Sequence, residues 1–426
     1  MKIKVLQIDN FRAIRHFDSE LSPSINVIYG ENGVGKSTIV LAINYLLSWM
    51  TARIINQKGN GRVLTDDDIT KGEKYCRLHI VLDDAMNTSW TLYRQRSTER
   101  TKSEMSDFKA LSQFADAWYI SDHKDEDGNL TIMPAIGVFD VNRAVVDVPQ
   151  RLVRQKSFAP ISAYTIKGTD FNSFFHWFRE REDVENEQLR NAFNKSRSLS
   201  GFALDIQLEA VRNAIAGVMP EYGSFHVQRN PKKFVMEKNG VEFDFARLSD
   251  GEKCYITLVA SIARKLAMTH PNSESVLDES GIFVIDEVDL HLHPDWQRSI
   301  VDKLRQVFPH CQFIMTTHSP AVLSSVRTFA DENVFSVKNG EVVKKVKVFG
   351  SEVNDILLRD FKVASLRSDE GLKLLQRVRM FLEKGDVSSK EFLEARDEMI
   401  HKLDASDLDV VGLLLEEAKL RKVMTL

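Results

Sequence analysis

The stretch Ile25-Asn26-Val27-Ile28-Tyr29-Gly30-Glu31-Asn32-Gly33-Val34-Gly35-Lys36-Ser37-Thr38 decides the fold. Its first five residues are a short apolar run of strand type, and from Ser37 to Trp49 the apolar residues recur at helical spacing. Between them, Gly30 to Ser37 satisfies G-x-x-x-x-G-K-[ST] at every fixed position, in the strand-loop-helix context that gives the pattern meaning. The glycines let the backbone wrap closely enough for several N–H groups to face phosphate oxygens, and the helix offers its positive end to the same charge. Lys36 is then expected on the β- and γ-phosphates, and Ser37 offers a hydroxyl to Mg²⁺, a hard cation that prefers oxygen. The run Gly30, Glu31, Asn32, Gly33, Val34, Gly35, Lys36, Ser37 and Thr38 is the candidate nucleotide-binding segment.

Working outward, Ile3 to Ile8 alternates like a strand, and Arg77 to Leu82 and Ser89 to Tyr93 extend an antiparallel sheet beside it. Ile282-Phe283-Val284-Ile285 is a buried-strand run that ends in Asp286-Glu287, which places two carboxylates at the carboxyl edge of a parallel sheet, where ligands bind. Asp286 suits Mg²⁺, directly or through its water, and Glu287 suits the orientation of a water attacking the γ-phosphate. A further strand, Gln312 to Met315, leads into Thr316-Thr317-His318-Ser319-Pro320, so His318 stands at the same edge, within reach of the γ-phosphate or that water. Leu248-Ser249-Asp250-Gly251-Glu252-Lys253 opens a helix, with Ser249 as N-cap and Glu252 completing a capping box. Asp289, His291 and His293 beside Asp286 also invite a zinc reading, against which packing and capping roles are the simpler account.

The fold class is α/β, a mixed sheet with a parallel core. Residues 1–96 form the first part of the lobe, 97–245 a helical insertion with helices near Met105–Ala117, Phe171–Asn194 and Leu204–Gly217, 246–350 the second part, and 351–426 a small helical region. With 426 residues, 43% hydrophobic, the chain can bury a core without a metal or disulfide staple, and the disordered and collagen-like classes are excluded. Cys76, Cys254 and Cys311 show no paired spacing. The longest apolar stretch, Val40 to Met50, is interrupted by Asn44 and Ser48, so no membrane span is expected, and the start of the chain lacks secretory character, which implies a cytoplasmic protein. Net charge is −4, so any contact with DNA must come from local patches. The clusters Arg94/Arg96/Arg100/Lys102, Arg151/Arg154/Lys156 and Lys344/Lys345/Lys347 read as solvated faces, and Phe171, Phe174, Phe175, Trp177 and Phe178 as packing.

Taken together, the phosphate loop, the acid pair, Leu248–Lys253 and Thr317–Pro320 resemble the ATP-binding-cassette ATPases, whose signature has the form L-S-G-G-[QE]; here Asp250 replaces the first glycine. That resemblance implies that Ser249, Gly251 and Glu252 of one protomer close over ATP held by another, in a homodimer or higher homo-oligomer. With Asn10-Phe11-Arg12 and Asp286 to Pro294 added, residues 1–50 and 245–350 look like the AAA15/AAA_21 branch, grouped with OLD, RecF and SMC-like ATPases, and this places Arg12 among the nucleotide-side residues. The branch's Q-loop glutamine is not assigned, Gln95 and Gln150 being the candidates. About 76 residues follow Gly350, and Asp407-Leu408-Asp409 reads as helix N-terminal acids, so no nuclease centre of the chain's own is expected. The layout is similar to the PtuA-type ATPases of Septu anti-phage systems, whose partner is a separate HNH nuclease, PtuB; PARIS-type ATPases with a Toprim partner are a second likeness. The resemblance implies an Mg-ATP-dependent ATPase that controls a nuclease, with DNA reached through the complex. A RecF/SMC-like clamp that binds DNA directly, or an ATP-binding scaffold with negligible turnover, are the alternatives.

Overall fold

The apolar run Ile25–Tyr29 is a strand with all five residues buried, inside a ten-stranded sheet. The computed structural model describes residues 1–97, 104–120, 133–141, 171–196, 204–345, 347–363 and 365–424. Its large sheet contains β1 (Ile3–Phe11), β2 (Ile14–Glu20), β3 (Ile25–Tyr29), β4 (Tyr75–Leu82), β5 (Ser89–Gln95), β6 (Ala135–Phe139), β10 (Gly281–Ile285), β11 (Cys311–Thr317), β12 (Asn333–Lys338) and β13 (Glu341–Lys345). The order is β5-β4-β1-β2-β13-β12-β3-β11-β10-β6. From β12 to β6 every pairing is parallel, whereas β12–β13, β1–β2, β1–β4 and β4–β5 are antiparallel. The expected mixed sheet with a parallel core is therefore present, and the carboxyl ends of β3, β10 and β11 share one edge.

Both faces of the parallel part are covered, which is why its strands read as mostly apolar runs rather than alternating ones. Ile28, Ile282, Val284 and Ile314 join a core with Ile39, Ile43, Leu46, Leu47 and Met50 of α1 (Lys36–Ile55). On the other face Phe283 stacks on Phe313, with ring centroids 5.8 Å apart, and Phe308 meets Phe313 at 6.3 Å. α1 has the length and composition of a membrane span, more than the interrupted stretch Val40–Met50 suggested, and 61% of its apolar window is buried inside the protein. Trp49 of α1 stacks at 4.1 Å on Phe108, just before α2 (Lys109–Ile120).

Segment 97–245, expected to be a helical insertion, is not helical throughout. Besides α2, α3 (Phe171–Ser196) and α4 (Ile206–Val218), it supplies β6 to the edge of the large sheet and a separate three-stranded sheet, β7 (Tyr222–Gln228), β8 (Lys233–Lys238) and β9 (Val241–Asp244). β6 is weakly written because Gly137 interrupts it; a Cβ there would come within 3.1 Å of the Lys265 side chain and of the Phe283 ring. The small sheet does carry a signal, Asn239-Gly240, both at positive φ in the β8–β9 turn, as a two-residue hairpin requires. Phe174 and Phe178 of α3 pack on Phe234 of β8, so these aromatics are core.

Residues Met1–Val353 form one compact unit and Asn354–Leu426 a second. The second packs α9 (Asp369–Glu383), α10 (Lys390–Lys402) and α11 (Leu408–Met424) around Val378, Leu382, Phe392 and Met399. Asp407 accepts from the N–H groups of Asp409 and Val410 at the start of α11, and Arg367 pairs with both Asp407 and Asp409, so the D-x-D is a charged helix cap.

One buried amide ties the start of the chain to the sheet. Gln312 of β11, fully buried, accepts from Ile3 N–H at 2.8 Å and donates to the carbonyls of Ile3 and Ser22 at 2.8 and 2.7 Å. Gln312→Leu leaves three backbone groups without this partner, and denaturant unfolding is expected to show a loss of about 3 kcal/mol; an unchanged midpoint would mean that water or a shifted strand takes over the bonds.

Candidate nucleotide site

The loop after β3 is shaped by what its residues can tolerate. Gly35 sits at φ 113°, and a Cβ there would lie 2.8 Å from Ile14 Cδ1, so both its conformation and its contact with the β1–β2 turn demand glycine. Gly35 also N-caps α1, where no side chain supplies a capping bond and no acid stands in the first turn. The positive end of α1 is thus left for an external anion.

Lys36 is the buried cation of the site. Its Nζ donates to the carbonyls of Gly30 at 2.9 Å and Glu31 at 2.8 Å, and lies 3.4 Å from His318 Nδ1. Burial lowers its pKa, and the charges of Glu287, Asp286 and Asp289 oppose that shift. The two acids after β10 and the histidine after β11 therefore converge on the lysine after β3. An ammonium has only donors, so Nδ1 of His318 is its acceptor and the ring proton sits on Nε2, which faces Glu287 Oε1 at 3.9 Å. Asp289 accepts from the Thr317 hydroxyl at 2.6 Å and faces the His318 N–H at 3.4 Å, which fixes the loop that carries the imidazole.

Thr316, fully buried at the end of β11, organises the acid pair. Its hydroxyl donates to Asp286 Oδ1 and accepts from Glu287 N–H at 2.7 Å, while its carbonyl accepts from Val288 N–H at 2.9 Å. Glu287 stands at φ 49°, a conformation uncommon for a side-chain-bearing residue, and these bonds hold it there. Thr316 lies within the motif used to find His318, but its role depends on a contact across strands that spacing does not encode.

Ser249 and Glu252 form the expected capping box at the start of α5 (Asp250–Thr269). Gly251 is buried, and a Cβ there would fall inside contact distance of the His291 carbonyl oxygen, in the loop that follows Glu287. Arg12, at φ 51° in the β1–β2 turn, pairs with Asp68 at 2.8 Å and lies over the Phe11 ring, while its neighbours Ala13 and Ile14 abut Gly35. The bonds of Arg12 run to Asp68 and those of Glu252 to Ser249, Tyr222 and Lys238, whereas Lys36, Asp286, Glu287 and His318 share one locus. His293 caps α6 (Pro294–Val307), and among the described residues no group of three or more His, Cys, Asp or Glu could hold a metal ion, so the zinc reading has no ligand set. Arg94 pairs with Asp66 and Arg96 bonds the Glu73 carbonyl; Arg100, Lys102, Gln150 and the cluster Arg151/Arg154/Lys156 lie outside the described residues.

Residues 2–342 match the RecF/RecN/SMC N terminal domain family. The chain belongs to that family. It is 26% identical over 482 residues to the Retron Ec83 probable ATPase of Escherichia coli, covering 98% of this chain and 87% of that protein. It is 27% identical over 453 residues to the Retron Vc95 probable ATPase of Vibrio cholerae serotype O1 biovar El Tor, covering 92% and 85%. It is 23% identical over 331 residues to the Septu protein PtuA of Bacillus thuringiensis, covering 76% and 73%. Among solved structures, an SMC head bound to the C-winged helix domain of ScpA aligns over 81% of this chain and 98% of its own, with 14% identity and a TM-score of 0.44.

In this RecF/RecN/SMC-type chain, Ser37 and Asp286 are the groups that would hold Mg²⁺. Both are oxygen donors, and Mg²⁺ asks a protein for only one or two such ligands when phosphates and water supply the rest. Asp286 is nearly buried and its carboxylate is oriented by Thr316, as a metal-side acid needs to be.

Burial and the Lys36 charge hold the His318 pKa below its ordinary value, against the opposing pull of Asp289, Glu287 and Asp286. His318 is therefore expected to be neutral at pH 7, and ring-proton NMR should show it titrating below about 6.5. Lys36→Met removes one of the two lowering influences and should move that titration upward; a downward move would contradict the contact.

Proposed function

We propose that this chain is a cytoplasmic ATPase that binds and hydrolyses Mg-ATP, that two or more copies close around the nucleotide, and that this cycle controls a separate nuclease in anti-phage defence. The observation that carries the reading is the meeting of Lys36, Asp286, Glu287 and His318 at the carboxyl edge of β3, β10 and β11. The triphosphate would lie on the backbone of Gly30–Thr38 and the first turn of α1, with the Lys36 ammonium moving from the Gly30 and Glu31 carbonyls to phosphate oxygens. Bound Mg²⁺ would supply charge neutralisation on those oxygens. Glu287 would orient the attacking water and take its proton, with its backbone held by Thr316. His318, carrying its proton on Nε2, would donate toward the γ-phosphate oxygen or steady the water.

The defence role is supported by the names of the relatives, two retron probable ATPases and a Septu PtuA. The nuclease partner, of HNH or Toprim type, is the finer part of this proposal and rests on the motif resemblance of the sequence, not on those names. The RecF/SMC family match favours one alternative, an ATP-closed pair that grips DNA itself; salt-sensitive, ATP-dependent DNA binding by the purified chain would select it.

Lys36→Ala should weaken ATP binding roughly 10- to 100-fold, as loss of a charge-assisted bond does. Glu287→Gln should bind ATP normally, release little phosphate, and double in mass by light scattering when saturated with Mg-ATP. If it stays monomeric, the closing of copies around nucleotide is wrong; if it turns over normally, the role given to Glu287 is wrong. Thr316→Val should lower kcat roughly 10- to 100-fold with ATP affinity retained, because the acid pair is misplaced rather than removed; Thr316→Ser should restore most of the rate.

A further inference from the structure

The capping box at Ser249 is more elaborate than starting a helix requires. In an ordinary box the carboxylate receives one backbone N–H. Here Glu252 Oε2 accepts from both Ser249 N–H at 2.7 Å and the Ser249 hydroxyl at 2.8 Å, while Oε1 accepts from Lys238 Nζ at 2.6 Å and from the Tyr222 hydroxyl. A carboxylate has about four lone-pair sites, and all four are used. Helices α9 and α10 also begin with capping serines, Ser368 and Ser389, but their third residues are Gly371 and Phe392, which have no carboxylate to clamp. A clamp of this kind is therefore not needed to begin a helix in this chain.

Its other end is anchored. Tyr222 and Lys238 are directly paired across β7 and β8, and Nζ lies 5.0 Å from the Tyr222 ring centroid. Phe234 of the same sheet is packed on Phe174 and Phe178 of α3 and on Phe245, so the strands that bear the clamp rest on a dense aromatic core. Burial pushes the Glu252 carboxyl up, but Lys238, Tyr222 and Ser249 together overcome it and hold it at about 2, so the clamp stays charged at any physiological pH.

We propose that Tyr222 and Lys238 are positioning residues for the nucleotide site of a second copy: by immobilising Glu252, whose carboxylate takes both the N–H and the hydroxyl proton of Ser249, they fix the N-terminal turn of α5, which faces that copy's triphosphate. This rests on the two-copy reading above. The clamp acts through Glu252 and Ser249 and touches no reacting atom. Its loss should leave the phosphate loop of the same chain intact and damage the site completed on its neighbour.

Lys238→Met should lower ATP turnover tenfold or more while the isolated chain keeps its ATP affinity; Lys238→Arg, which retains the charge, should recover much of the rate, and Tyr222→Phe should cost less than Lys238→Met. The decisive measurement mixes inactive partners. In a one-to-one mixture of Lys238→Met and Lys36→Ala, half the pairs formed at random are mixed, and each mixed pair has one site built from an intact loop and an intact signature. Activity should return to about a quarter of the unsubstituted level. A parallel mixture of Ser249→Arg with Lys36→Ala tests the two-copy arrangement itself. If the Ser249 pair complements and the Lys238 pair does not, the positioning role is wrong and the two-copy reading stands. If neither complements, the two-copy reading falls and this inference with it. Normal turnover by Lys238→Met alone also overturns the proposal.

Discussion

A single buried ammonium, that of Lys36, organises this edge of the protein. It lies on the carbonyls of its own loop, contacts the imidazole of His318, and feels the charges of Asp286, Glu287 and Asp289. A buried cation is costly without such partners, and the three carboxylates that act on it gain a counter-charge in return. The strand order meets that need: β3, which delivers Lys36, lies beside β11, which delivers His318, and β10, which delivers the acids, is the next strand. A ligand with several negative charges and its own divalent counter-ion can enter this balance without leaving any group alone.

What was legible in the sequence was what is local. The phosphate loop, the run Ile282–Glu287, the capping box at Ser249 and the histidine at 318 each announce themselves within about ten residues, and each falls where its element implied. What was not legible depends on pairs distant in the chain. Thr316 is one hydroxyl among many until β11 is set beside β10. Lys238 is an ordinary surface-type lysine until β8 is brought to the start of α5. β6 and the three-stranded sheet are hidden in a segment that reads as helical: Gly137 weakens β6, and for the small sheet the Asn239-Gly240 turn is the clue available. Arg12 was carried by resemblance alone, and the structure gives it a local partner, Asp68.

The two sets of candidate site residues are held in different ways. Lys36, Asp286, Glu287 and His318 are fixed by the parallel sheet, whose strands are buried on both faces and leave little freedom. Ser249 and Glu252 are fixed by a hairpin of the inserted segment through Tyr222 and Lys238.

The absence of a side chain at Gly251 has a mechanical consequence. Backbone rests on backbone there, the first turn of α5 against the His291 carbonyl, four residues after Glu287. Such a joint has no play, since there is no rotamer to absorb a displacement. A shift of the loop behind the acids would press directly on the helix start, like a gear cut without backlash. In a closed pair each copy's helix start would then move in step with its own acids, and the clocks of the two sites would be geared together rather than merely placed side by side.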